Sequence, residues 1–422
     1  MNRGTGLIGH AARASIAGMS TLLLAVLLVV AGRLLGDQEY GKFSFALALA
    51  MIFETVMDFG LKEITTRKVA RDRKAAQSLL AQMFGLKLAL ALGAGIGLAV
   101  TANLLSSEAD VRLACYLLGA AAILRSYLLT IRYALQGIER FGLDGLVVVI
   151  DRSLLLVLGI GVLANGCGMV GLTVAFVGAR VISLIAAWAL VAGQIGSFRP
   201  AFDRARWLAL QRQALPFGAF IVVLHLYSYA DTIMLYVILP DDGETTGHYA
   251  AAYRIYEGLA NVGQVLQTVL IPRLSRHYVA DRAAHGRLAR RGLLAGGLLA
   301  PATAAAGFLL GERAVILLFG PAYAPAGQVL QLLSIGFVVV LPLCALYAVA
   351  LSAGAGAWLL RTAVTGCVAN VALNLVLIPR FGMHGAAAAT VAGEALSMTV
   401  LAIGLRRHVW PPAGVPRPTA CE

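Results

Sequence analysis

Charged residues are scarce in this sequence. Only 13% of its 422 residues are Asp, Glu, Lys or Arg, whereas 59% are hydrophobic. A soluble domain normally carries about 25% charged residues, so the deficit argues against a water-soluble fold. The apolar runs are long and continuous rather than alternating, which also argues against a membrane β-barrel. The composition therefore predicts an all-α integral membrane protein.

Recognisable metal, disulfide and catalytic patterns are missing from the sequence. The five cysteines form no CxxC pair and no cluster with histidine, so neither a metal site nor a disulfide is assigned. There is no Walker motif, no HExxH motif and no nucleophile–base set. The chain is therefore not expected to be an enzyme or to hold a cofactor, and a coupling ion, H⁺ or Na⁺, is left open.

Apolar windows long enough to cross a membrane as helices occur about twelve times. They lie near residues 13–35, 43–61, 79–103, 112–136, 143–165, 168–193, 215–239, 248–272, 292–311, 325–352, 357–379 and 384–406. Lys and Arg residues between the windows concentrate on alternate connections, which predicts that both termini are cytoplasmic. The same distribution accounts for the net charge of +13 through contact with anionic lipid, so nucleic acid is not an expected partner.

The two groups of six windows resemble each other. EYGKFSFALA (39–48) resembles TGHYAAAYRI (246–255), and GMVGLTVA (168–175) resembles GMHGAAAA (382–389) at a nearly equal offset. Such a duplication predicts two pseudo-symmetric lobes of six transmembrane helices around a central cavity.

The domain boundaries follow from this duplication. A basic, more polar stretch after residue 195 separates the halves, so we place the first lobe at 1–200 and the second at 201–407. The segment 408–422 is rich in proline and predicts a disordered cytoplasmic tail.

The eighth window carries a polar stripe, because its polar residues recur every three or four positions and so share one helix face. The stripe consists of Arg254, Glu257, Asn261, Gln264 and Thr268. The repeat offset maps its last three residues onto Thr55, Asp58 and Lys62 of the second window, which Glu54 adjoins. A charge at mid-membrane costs roughly 2.5–3.5 kcal/mol on insertion scales, so it should face protein or water. We interpret both stripes as the lining of a hydrated cavity; a buried polar network that joins helices is the alternative.

Asp231 in the seventh window should lie at a depth similar to that of Arg254, which enters from the outside on the next window. The sequence therefore suggests an ion pair between them, either as a structural clasp or as a gate. Asp231, Glu257 and Asp58 are candidates for ion coupling.

Four cations lie near the middle of four successive helices in the first half: Lys87, Arg125, Arg152 and Arg180. The planar fork of arginine binds phosphate through two parallel hydrogen bonds, so a cavity that holds several such groups suits an anionic cargo. For each cation taken singly, a structural ion pair is the alternative.

Three segments together resemble bacterial polysaccharide flippases of the multidrug/oligosaccharidyl-lipid/polysaccharide exporter superfamily. They are RLLGDQEYGKFSFALALAMIFETVMDFGLKEITTRKVAR (33–71), ALQGIERF (134–141) and ALPFGAFIVVLHLYSYADTIML (214–235). The resemblance implies two six-helix lobes that open alternately, with a cleft lined by spans one, two, seven and eight. It also implies flipping of an undecaprenyl-pyrophosphate-linked oligosaccharide across the bacterial inner membrane, for polysaccharides such as lipopolysaccharide.

The resemblance leaves some questions open. Its implied partners are the lipid-linked oligosaccharide and membrane lipids, with a polysaccharide polymerase and chain-length machinery as further candidates. It also implies that some of the four mid-membrane cations lie behind the cavity lining.

A drug/cation antiporter of the same superfamily is the nearest alternative. A membrane glycan polymerase or ligase is less favoured, because the outward loops near 239–248 and 311–325 are too short to hold a catalytic domain.

Overall fold

The described part of the chain, residues 3–241 and 243–408 of a computed structural model, consists of helices and short connections and contains no strand. The helices are α1 (Arg3–Asp58), α2 (Leu61–Arg71), α3 (Ala76–Leu105), α4 (Ala109–Gly137), α5 (Phe141–Ala164), α6 (Gly168–Ile195), α7 (Arg204–Ile238), α8 (Glu244–Ala280), α9 (Arg282–Phe319), α10 (Ala324–Ile335), α11 (Phe337–Ser352) and α12 (Gly356–His408). The prediction of an all-α protein is confirmed. Residues 409–422, most of the predicted tail, lie outside the described part.

Seven of these helices are long and apolar enough to cross a membrane. They are α3, α4, α5, α6, α9, α12 and the part of α7 from Phe217 to Ile238. The pair α10 and α11 meets the same criteria as one span bent by 47°. The prediction of a multi-pass membrane protein is therefore confirmed.

Two glycines with positive φ break long helices into successive segments. Gly36 has φ 77° within α1, and Gly382 has φ 54° within α12. Glycine adopts this region without the steric cost of a Cβ atom. The first and second predicted spans fall on either side of Gly36, and the eleventh and twelfth fall on either side of Gly382. The eighth predicted span lies in α8, whose polar stripe lowers its hydropathy.

The chain divides into two compact units. The first contains residues up to His225 with a short segment around Gly243, and the second contains the remainder. The division falls within α7, whereas the sequence places the lobe boundary near residue 200. That boundary stays a prediction, and the N-terminal part of α7 is described below with the first unit.

Aromatic packing in the first unit holds the segment after α6 against α3. Phe84 lies with its ring centroid 5.3 Å from that of Trp188 and 5.1 Å from that of Phe198. The backbone N–H of Ala201 donates to the carbonyl of Ala81 at 2.8 Å. The start of α7 is thereby brought to the start of α3.

The turn between α1 and α2 requires a glycine. Gly60 has φ 71°, and a Cβ atom there would lie 2.8 Å from the backbone nitrogen of Gly218 on α7. A side chain would therefore be strained by its conformation and would collide with a neighbouring helix. This close approach places Asp58 and Lys62, on either side of the turn, beside α7.

We expect Gly60→Ala to destabilise the protein by about 2–4 kcal/mol, because the left-handed conformation and the backbone collision both act against the methyl group. The measurement is thermal unfolding of the purified protein in detergent. Gly93→Ala is the matched control, since a Cβ atom at Gly93 meets nothing within 4 Å. Equal melting temperatures for the two variants would contradict the assignment.

Candidate functional site

The first unit contains a cavity of about 210 Å³ between the end of α1, α2, α4 and the N-terminal part of α7. Its lining combines apolar side chains with a polar and charged group: Glu54, Thr55, Asp58, Lys62, Arg125 and His225. Three of these, Glu54, Asp58 and Arg125, are site residues predicted from the sequence. The polar stripe of the second predicted span therefore faces a cavity within this unit.

The two carboxylates of this stripe are each held by a cation from another helix. Glu54 and Asp58 lie one turn apart on α1 and so share a face. Arg125 Nη1 on α4 donates to Glu54 Oε1 at 2.5 Å. Lys87 Nζ on α3 donates to Asp58 Oδ1, and Ser126 Oγ donates to the same oxygen at 2.6 Å.

Lys87 lies behind the cavity and is not part of its lining. Its side chain is fully buried, at 0% exposed, and its ammonium also donates to the carbonyl and hydroxyl oxygens of Ser126 at 2.8 and 2.7 Å. An ammonium group has three donors, and these contacts use all of them. The side chain of Arg125, in contrast, is 24% exposed and lines the cavity. Lys87 therefore orients Asp58 from behind, while Arg125 is accessible.

The other two predicted cations share one carboxylate. Arg180 Nη1 on α6 donates to Asp151 Oδ1 on α5, and both side chains are buried. Arg152 Nε lies 3.9 Å from Asp151 Oδ2 and is within electrostatic range of Arg125. Because Asp151 is already paired with Arg180, Arg152 is the cation in excess.

Positive charge exceeds negative charge around the cavity. On the lining, Lys62 and Arg125 balance Glu54 and Asp58; behind it lie Lys87, Arg152 and Arg180 with the carboxylate of Asp151. Counted together, five cations against three carboxylates leave an excess of two positive charges, one on the exposed Lys62 and one on the largely buried Arg152. Such an excess favours binding of an anion.

Asp231 in the second unit is surrounded by neutral donors. It is 3% exposed. Its oxygens accept from Tyr249 Oη at 2.6 Å, Thr390 Oγ1 at 2.5 Å, Asn370 Nδ2 at 3.0 Å and Asn374 Nδ2 at 2.6 Å. The ion pair expected between Asp231 and Arg254 is therefore wrong, because the described partners of Asp231 are all neutral; Arg254 Nη1 donates to Glu257 Oε2 at 2.9 Å, three residues along the same helix.

Four side-chain oxygens of the second unit are buried without a hydrogen-bond partner among the described residues. Two of them are Oδ1 of Asn374, beside Asp231, and Oε2 of Glu394; the others belong to Thr246 and Thr362. Glu394 Oε1 accepts from Tyr256 Oη at 2.8 Å. Asn374 and Glu394 are not among the predicted site residues, although two asparagines one turn apart in an apolar helix, as in NVALN from Asn370, indicate a buried polar site.

The predicted stripe on α8 is partly accessible in the structure. The side chain of Glu257 is 53% exposed, Gln264 is also exposed, and Arg254 and Asn261 are half-buried. Whether the stripe lines a transport path stays a prediction.

One family model and several solved structures match this chain. Residues 11–277 match the model of the family described as "Polysaccharide biosynthesis protein". No curated protein matches the sequence.

Solved structures share the fold at low sequence identity. An inward-facing multidrug resistance MATE family transporter of the MOP superfamily gives a TM-score of 0.73 at 17% identity, over 94% of this chain and 97% of that chain. The lipid II flippase MurJ in an inward closed conformation gives 0.75 at 13%, over 94% and 87%. A MOP superfamily transporter from Pyrococcus furiosus Vc1 (DSM3638) gives 0.60 at 18%, over 95% and 94%.

These similarities confirm the two-lobe fold of MOP superfamily transporters for this chain. The family match covers more than half of the sequence and agrees with the resemblance found in its motifs. The chain belongs to the polysaccharide biosynthesis protein family.

Proposed function

We propose that this protein flips an undecaprenyl-pyrophosphate-linked oligosaccharide across the bacterial inner membrane, with both termini in the cytoplasm, for surface polysaccharide biosynthesis such as that of lipopolysaccharide. The observation that carries the proposal is the excess of cations around the cavity of the first unit. Transport changes no covalent bond, so the protein acts as a transporter and not as an enzyme.

A pyrophosphate diester carries one negative charge on each phosphate, which matches the excess of two positive charges around the cavity. Arg125 is the first candidate contact, because its guanidinium has five donors and Glu54 occupies one of them at 2.5 Å. The remaining donors are able to bind phosphate oxygens in the bidentate manner that arginine favours. Lys62, exposed on the lining, adds a second positive group.

The proposal is supported by the family match and by the shared fold with a lipid II flippase. We infer that the sugar–pyrophosphate headgroup crosses through a hydrated path while the lipid tail stays in the bilayer. Alternating opening of the two lobes around a central cavity is part of the proposal. A polysaccharide polymerase and chain-length machinery are proposed partners, because they would use the flipped oligosaccharide.

A drug/cation antiporter is the second candidate. It is favoured by the two buried carboxylates of the second unit, Asp231 and Glu394, which accept hydrogen bonds from neutral donors only. Several structures with the same fold are multidrug transporters. The cationic cavity of the first unit argues against an organic cation as the cargo, because like charges would repel it.

The cargo is tested by measuring flipping of a polyprenyl-pyrophosphate-linked oligosaccharide in proteoliposomes. A membrane-impermeant glycosidase added to the vesicles cleaves only the oligosaccharide that faces it, which reports the flipped fraction. We expect Arg125→Gln to lower the flipping rate by roughly ten- to a hundredfold, which corresponds to one charge-assisted hydrogen bond of about 1.5–3 kcal/mol. Arg132→Gln is the control, because Arg132 pairs with Asp144 at 2.7 Å and does not line the cavity. A wild-type rate equal to that of protein-free vesicles, together with export of an organic dye cation, would favour the antiporter.

Substitution of Arg180 should lower stability, whereas substitution of Arg152 should lower the flipping rate. Arg180→Gln leaves the buried Asp151 without its direct partner and should cost about 3 kcal/mol of stability, near the lower end for such pairs because Arg152 remains nearby. Arg152→Gln should leave stability nearly unchanged but lower the flipping rate by roughly tenfold, about 1.4 kcal/mol. Thermal unfolding and the flipping assay check both variants, and the reverse pattern would refute the assignment of Arg152 as the excess cation.

We also propose that Asp231 couples transport to a small cation, either H⁺ or Na⁺. The support is a buried carboxylate with oxygen-bearing neighbours and the unpartnered Oδ1 of Asn374 beside it. Carboxylate, amide and hydroxyl oxygens are ligands that suit hard cations. The same carboxylate is able to hold a proton instead.

Asp231→Asn should abolish the response of flipping to an imposed gradient, because the variant lacks the negative charge that attracts the cation. The measurement compares flipping rates in vesicles with a Na⁺ gradient, with a proton gradient and with neither. Asp281→Asn is the control, since Asp281 is the exposed N-cap of α9 and accepts from the backbone N–H of Ala284 at 3.0 Å. The coupling role is excluded when Asp231→Asn keeps the wild-type gradient dependence.

A further inference from the structure

A second pocket in the first unit lies away from the cationic cavity, between the end of α2 and the starts of α3 and α7. Its volume is about 240 Å³. Its polar lining consists of Lys68, Asp72, Ser78, Gln82 and Arg206. We call it the α2–α3–α7 pocket. The proposed flipping mechanism uses none of these residues.

Gln82 is the buried polar group of this pocket. Its side chain is 8% exposed, and its Oε1 has no hydrogen-bond partner among the described residues. A buried amide oxygen is normally satisfied by a donor, since leaving it unpaired is costly. A ligand for this pocket must therefore bring a hydrogen-bond donor, which a fully ionised phosphate alone does not have.

Charges of both signs line the same pocket. Lys68 and Arg206 are basic, whereas Asp72 is acidic. Oδ1 of Asp72 accepts from the backbone N–H of Lys74 at 2.9 Å and that of Ala75 at 3.2 Å, so the carboxylate is held in place. Arg206 Nε lies 3.1 Å from Asp203 Oδ2 in an exposed pair, which leaves its other donors accessible. A ligand with a negative and a positive group fits this mixture.

The pocket lies at the start of α3, a helix that is long and apolar enough to cross a membrane. The ends of membrane-spanning helices lie at the level of the lipid headgroups. Near Arg206 along the chain, Phe202 and Leu208 expose large apolar side chains. The geometry therefore gives a lipid headgroup access to the pocket, with apolar side chains nearby for its acyl chains.

We propose that the α2–α3–α7 pocket binds the phosphoethanolamine headgroup of a membrane phospholipid. Its phosphate accepts from Lys68, Arg206 and the hydroxyl of Ser78. Its primary ammonium donates to Oε1 of Gln82 and to the carboxylate of Asp72. A choline headgroup has no N–H donor, and a phosphoglycerol headgroup has no positive charge, so neither satisfies both Gln82 and Asp72 equally well.

The test is native mass spectrometry of the full chain after incubation with phosphatidylethanolamine, phosphatidylcholine or phosphatidylglycerol of identical acyl chains. We expect wild-type protein to retain phosphatidylethanolamine roughly tenfold more than either other lipid, the ratio expected from one charge-assisted hydrogen bond. Gln82→Leu and Lys68→Gln should each reduce this preference. Arg73→Gln is the matched control, because Arg73 pairs with Glu139 at 2.8 Å and does not line the pocket.

Two results would overturn recognition of the phosphoethanolamine headgroup. One is equal retention of the three lipids by the wild-type protein. The other is an undiminished preference in both Gln82→Leu and Lys68→Gln. Thermal unfolding of each variant shows that it is folded, and Lys68 lies at the accessible side of the pocket, so its substitution leaves the core intact. Displacement of bound lipid by soluble glycerophosphoethanolamine at equal concentration would also refute a membrane source for the ligand. The result is independent of which cargo the protein flips.

Discussion

A charge inside a bilayer must meet an opposite charge, a set of hydrogen-bond donors or water, and this constraint organises both units. In the first unit it selects ion pairs between different helices, such as Lys87 on α3 with Asp58 on α1 and Arg180 on α6 with Asp151 on α5. Each pair joins two helices and specifies their register, which contact between apolar surfaces alone would not do. The pairs therefore fix the helices at the same time as they neutralise the charges.

A surplus of positive charge remains in the first unit after pairing. Arg125 is paired with Glu54, so the surplus is carried by Arg152 and by Lys62 on the cavity lining. Charges interact over a longer distance where the dielectric constant is low. In the proposed function, this surplus offsets part of the free energy that an anionic headgroup loses by leaving water.

In the second unit, neutral donors stabilise the buried carboxylates. Asp231 is stabilised by hydroxyl and amide donors, and Glu394 by a tyrosine hydroxyl. A carboxylate held in this way is not already neutralised, so it retains an attraction for a small cation. The contrast between paired carboxylates in one unit and unneutralised carboxylates in the other is the reason why we propose separate sites for cargo binding and for ion coupling.

The sequence by itself determined the fold class, because hydropathy, the scarcity of charge and the length of the apolar windows are local properties of a chain in a bilayer. It also located charged residues within apolar windows, such as Asp58, Arg125 and Asp231, although it did not single out Glu394. Only the tertiary structure decided their partners. The three donors of the Lys87 ammonium bind Asp58 and Ser126, and Asp231 accepts hydrogen bonds from Asn370 and Thr390 rather than from Arg254. Depth along a helix can be read from sequence, but the direction in which a side chain points depends on how helices pack and where glycines such as Gly60 let them approach.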